Sequence, residues 1–129
     1  MLRSLPSRGT SFNIVSFGSS YSPLWPSSYP YTVESVNEAS KHIDNMDANL
    51  GGTEIRSAIQ AAFQSRLGFT VPAVIFLLTD GDSYDLNGVK EIVAAEVKQA
   101  KAARSLLRVF CMGIGNSSSK VRPRFNQVI

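Results

Sequence analysis

A chain of 129 residues and 14.0 kDa, 43% hydrophobic and with a mean hydropathy of -0.01, has room for one globular domain at most. No stretch approaches the ~18 apolar residues of a membrane span, and residues 1–6, Met-Leu-Arg-Ser-Leu-Pro, lack an apolar core of signal-peptide length, so a cytoplasmic chain is expected. The net charge of +3 is uneven: residues 1–96 carry 6 basic and 10 acidic side chains, residues 97–129 carry 7 basic and none acidic.

Cys111 is the single cysteine, which excludes a disulfide framework and a cysteine-based zinc cluster. Lying in an apolar run, it is expected to pack in the core. Of the basic residues, Lys98, Lys101 and Arg104 fall on a helical pattern, and Lys120, Arg122 and Arg124 lie in a terminal stretch containing Ser and Pro. These read as a solvated helix face and a loose tail. No aromatic residues interleave with them as stacking platforms would require, so no nucleic-acid partner is expected.

In chain order, residues 12–18, Phe-Asn-Ile-Val-Ser-Phe-Gly, make a short β-rich run. The Pro-, Ser- and Tyr-rich stretch that follows, to Tyr31, reads as an irregular or hairpin segment. From Val36 the apolar residues Ala39, Ile43, Met46 and Leu50 recur at spacings of three and four, with Ser35 and Glu38 as a capping box. This predicts an amphipathic helix stopped by Gly51-Gly52. Thr53 then opens a second helix over residues 54–66, with Ile55, Ala58, Ile59, Ala62 and Phe63 on one face and Gly68 at its end.

Next comes the unbroken apolar run Ala73-Val74-Ile75-Phe76-Leu77-Leu78, ending in Thr79-Asp80-Gly81-Asp82. A strand apolar on both sides belongs in a sheet covered on both faces, and such sheets bind ligands beyond the carboxyl ends of their strands. Asp80 is therefore the first candidate functional residue. A third helix follows, with Val89, Ile92, Val93, Val97 and Ala100 on one side, and then a strand over residues 106–114. The order strand, helix, helix, strand, helix, strand predicts an α/β fold, a doubly wound, mainly parallel sheet with helices on both faces.

If that topology holds, the loop ending in Gly51-Gly52-Thr53 and the loop beginning at Asp80 share one edge of the sheet. A hydroxyl and a carboxylate on glycine-rich loops suit a hard divalent cation such as Mg²⁺, which takes oxygen ligands and keeps several waters. The same residues also suit a purely structural reading, with Thr53 as the N-cap before Glu54 and Asp80-Gly81 as a turn. Asp82 and Asp85 would add charge near Asp80, although Asp85 or Asn87 suits a cap of the third helix better.

Gly81-Asp82-Ser83 superficially matches the nucleophile block of GDSL-type hydrolases. His42 is the single histidine and lies upstream on an amphipathic helix, beside Lys41 and Asp44 rather than in an Asp-x-x-His pair. It reads as a boundary helix residue, and no enzyme is expected. Neither G-x-G-x-x-G nor a P-loop follows a strand, so a nucleotide site is not expected either. A third possibility is a metal-independent interaction scaffold that binds a protein through Tyr21, Trp25, Tyr29 and Tyr31, residue types that anchor interfaces or cover a sheet edge.

Three blocks carry a family resemblance: Gly51-Gly52-Thr53-Glu54 before a helix, Val74-Ile75-Phe76-Leu77-Leu78-Thr79-Asp80-Gly81, and Val109-Phe110-Cys111-Met112-Gly113-Ile114-Gly115. Together they resemble the central and later part of a von Willebrand factor type A (vWA) domain. The closest flavour is the type found beside VIT domains in inter-α-trypsin inhibitor heavy chain-like proteins, where a strand like residues 12–18 also occurs. The resemblance implies a Rossmann-like sheet with a metal-ion-dependent adhesion site at its top. Thr53 matches the threonine that ligates the metal directly, and Asp80 the aspartate that acts through a bound water. A protein ligand would supply a carboxylate to the open metal position, which is binding without catalysis.

The family's principal motif, Asp-x-Ser-x-Ser after the first strand, occurs in no window of this chain; Ser16-Phe17-Gly18-Ser19-Ser20 lacks the aspartate. The expectation is therefore a partial vWA domain over residues 1–119, lacking the first strand and the last helix-strand unit, with residues 2–8 as the last turn of a first helix. Residues 120–129 are expected to form a disordered basic tail. The missing strand would lie between those at Phe12 and Ala73, so the chain is expected to be poorly stable, or to close the gap by pairing these two directly.

Overall fold

The computed structural model describes residues 2–6, 8–46, 54–68, 70–79 and 86–113. The chain divides into two compact units, Met1–Leu67 and Gly68–Ile129.

In the first unit, a 3₁₀ turn at Leu2–Ser4 stands where the end of a helix was expected. The β-rich run is then two strands, β1 (Ser11–Phe12) and β2 (Val15–Phe17), and the segment after it supplies β3 (Tyr21–Pro23) and β4 (Tyr29–Pro30). They nest as one long antiparallel hairpin: β2 pairs with β3 inside, and β1 pairs with β4 outside. Asn13 explains the break. Its Oδ1 accepts from the backbone N–H of Ile14 (2.8 Å) and of Trp25 (3.2 Å), while its Nδ2 donates to the Trp25 carbonyl at 2.8 Å. A side-chain amide thus satisfies backbone groups that a continuous ladder would have paired.

Helix α1 runs Val33–Asp44, three residues earlier than the periodicity from Val36 suggests. The capping box is Thr32 with Ser35 rather than Ser35 with Glu38: Thr32 Oγ1 accepts from the Ser35 N–H, and Ser35 Oγ accepts from the Thr32 N–H. Ser35 Oγ also donates to the Pro30 carbonyl at 2.8 Å, which ties the cap to β4 and buries it. Ile43 is exposed, and the helix ends at Asp44 before reaching the apolar residues beyond. Phe12, Val36 and Ala39 form a core cluster, with Ile14, Leu24, Trp25 and Tyr31 packed around it. Trp25 meets Phe12 edge-on at 5.2 Å and donates its indole N–H to Glu38 at 3.3 Å.

Helix α2 (Ile55–Gln64) buries Ile55, Ala58, Ile59 and Phe63, the face its periodicity predicts, and lies against β2 and β3. Its carboxyl end is tied to the hairpin by a bond from the Ser28 N–H to the Ser65 carbonyl, 2.8 Å.

In the second unit, β5 (Ala73–Thr79) and β6 (Leu107–Gly113) pair in parallel along their whole length, joined by α3 (Leu86–Ala102). This is the βαβ crossover read from the sequence. Asn87 lies inside α3 rather than capping it. Helix α3 lies against β6 and buries Val89, Val93 and Ala100. It ends in a Schellman motif: Ser105 N–H donates to the Ala100 carbonyl at 2.8 Å, Arg104 N–H to the Lys101 carbonyl at 3.0 Å, and Arg104 takes φ 55°.

Within the second unit Leu77, Leu107 and Val109 are buried on one side of the β5–β6 sheet, whereas Val74, Phe76 and Leu78 lie on the other and are exposed. One expectation is corrected here. Cys111 is exposed rather than packed in the core. Among the described residues β2 pairs with β3 and β5 with β6, each in a two-stranded sheet.

Candidate functional site

Thr53 and Asp80, together with Gly51, Gly52 and residues 81–85, lie outside the described residues; the elements that lead to them do not. Glu54, immediately after Thr53, occupies the N-cap position of α2, so the sequence reading of Thr53 as the N-cap is corrected by one residue. The Glu54 side chain makes no cap bond to the backbone. Instead its Oε2 accepts from Ser57 Oγ at 2.8 Å.

The Glu54 N–H donates to the carbonyl of Gly18 at 3.3 Å. Gly18 directly follows β2, so the loop that carries Thr53 arrives at the carboxyl end of that strand. In the second unit β5 ends at Thr79, so Asp80 follows the carboxyl end of its own strand. Sheets of this class bind ligands at that end.

Around Gly18 the hairpin makes a shallow hollow of about 180 Å³ lined by residues 16–22, four of them serines. Sequence reasoning weighed Ser16 to Ser20 only as a defective metal motif and missed that this turn touches the residue after Thr53. The available signal was Gly18-Ser19-Ser20 as a turn between two β-rich runs. Ser19, Ser20 and Tyr21 are exposed, and the Gly18 N–H closes the turn onto the Ser20 carbonyl at 2.7 Å.

Among the described residues no group of three or more His, Cys, Asp or Glu side chains could hold a metal. The candidate donors expected from the sequence are the Thr53 hydroxyl and the Asp80 carboxylate. Both are hard oxygen ligands of the kind Mg²⁺ takes, and both are too few to saturate it without water or further donors.

The other candidates are placed as follows. His42 is half-buried in the last turn of α1, and its Nε2 is buried without a hydrogen-bond partner. Gly81-Asp82-Ser83 falls outside the described residues. Of the aromatic loop, Trp25 and Tyr31 join the core while Tyr21 and Tyr29 stay exposed. Lys98 and Lys101 are exposed on α3. The Cys111 thiol is pushed up from its ordinary pKa by desolvation, against a smaller opposing pull from the Lys90 ammonium. No described helix is long and apolar enough to cross a membrane.

These elements define an α/β domain of the vWA class. The family model for the von Willebrand factor type A domain matches residues 1–123, and the chain belongs to that family. Relatives include von Willebrand factor A domain-containing protein 5A, 35% identical in Rattus norvegicus and 36% in Homo sapiens over 119 residues. A von Willebrand factor A domain-containing protein of Dictyostelium discoideum is 33% identical over 117 residues. These matches take in 91 to 92% of this chain but only 12 to 14% of each relative. No solved structure matches the chain.

Proposed function

We propose that the chain is part of a protein-interaction module of the adhesion type, with an incomplete metal-ion-dependent site in which Thr53 and Asp80 face a Mg²⁺ ion. The observation that carries this reading is the bond from the Glu54 N–H to the Gly18 carbonyl. It supports a Thr53 loop held at the carboxyl end of a strand, as β5 supports an Asp80 loop at the carboxyl end of another. In the doubly wound sheet that the vWA family implies, both loops lie at the carboxyl edge. Thr53 then ligates directly, Asp80 acts through a water, and a carboxylate of the protein ligand takes an open position. The remaining donors belong to an Asp-x-Ser-x-Ser segment that the 129 residues do not contain. An in-frame Asp-x-Ser-x-Ser about 20 to 40 residues upstream of Met1, the length of a strand and its crossover helix, would supply them.

The test is ligand capture by a longer form that includes such a segment. Capture should fail in chelator, return with Mg²⁺ and be abolished by Asp80→Ala. Capture indifferent to chelator favours a second reading, a metal-independent scaffold. The observation behind that reading is the exposure of Tyr21 and of Tyr29, the latter 5.2 Å from Trp25 between ring centroids. Tyr21→Ala and Tyr29→Ala would then abolish capture, and Asp80→Ala would not.

A further inference from the structure

We draw no further inference here: the strongest candidate, the groove of about 360 Å³ that Arg3, Tyr31 and the first turn of α1 line, rests on a helix N-terminus, and nothing in the structure shows what covers it.

Discussion

Glu54 donates its backbone N–H to the Gly18 carbonyl over 3.3 Å, which fixes the residue after Thr53 to the turn that ends β2. Proline at this position removes the donor and sets its ring Cδ against the Gly18 oxygen that the N–H now faces. Glu54→Pro should therefore cost more in urea unfolding than the about 1 kcal/mol net worth of one such bond. Glu54→Ala, which keeps the N–H and loses only the contact with Ser57, should cost less. Equal losses would mean that the Gly18 bond contributes nothing.

The first unit depends on Phe12. Its ring lies 5.2 Å from Trp25 and 5.8 Å from Tyr31, and it caps a cluster in which Ala39 is fully buried. Phe12→Ala should cost about 3–5 kcal/mol, a large share of the 5–15 kcal/mol that holds a typical domain together. The expected result is loss of a cooperative denaturant transition and of Trp25 fluorescence change, with Phe12→Leu retaining both.

Arg104 supplies the opposite sign. A residue with a Cβ in the left-handed region costs about 1–2 kcal/mol relative to the right-handed one, and this position closes the Schellman motif of α3. Arg104→Gly should raise stability by about 0.5–1 kcal/mol once the greater freedom of glycine in the unfolded chain is subtracted. A lower melting temperature for this variant would contradict the cap assignment.

The Cys111 thiol titrates above its ordinary value because desolvation disfavours the thiolate, with Lys90 pulling the other way. Alkylation at pH 8 should be slower than for a free cysteine peptide, and its pH midpoint higher. Lys90→Gln removes the opposing pull and should raise the midpoint further. For linkage, a folded pKa above the unfolded one means that the folded chain holds its proton longer. The contribution to stability is full below the ordinary thiol pKa and is lost as pH rises through the raised one.

Much of this was legible in the sequence, for reasons that particular residues make plain. The run from Ala73 to Thr79 and the face of Ile55, Ala58, Ile59 and Phe63 have unambiguous periods, and the structure places them as strand and buried helix face. Asn13 was not legible as a strand break, because two of its three hydrogen bonds need Trp25, twelve residues away, to be in place. The capping box was misplaced because Ser35 fits either end of such a motif, and only the backbone angles at Thr32 decide. Cys111 reads as core from its apolar neighbours and shares a side of β6 with the buried Leu107 and Val109, so its exposure toward the strand's carboxyl end has no signature in the alternation. The pairing of Gly18 with Glu54 spans 36 residues and has no local signature.

The most direct test of the proposed site is calorimetric titration of Mg²⁺ into the 129-residue chain, its Asp80→Ala variant and its Thr53→Ala variant. The prediction is weak but saturable binding to the parent chain, weakened about tenfold or more in each variant, because an uncompleted oxygen site depends on every donor it has. Mg²⁺ binding that is unchanged by Asp80→Ala and Thr53→Ala, or no binding at all, would contradict the assignment of these two residues to a metal site.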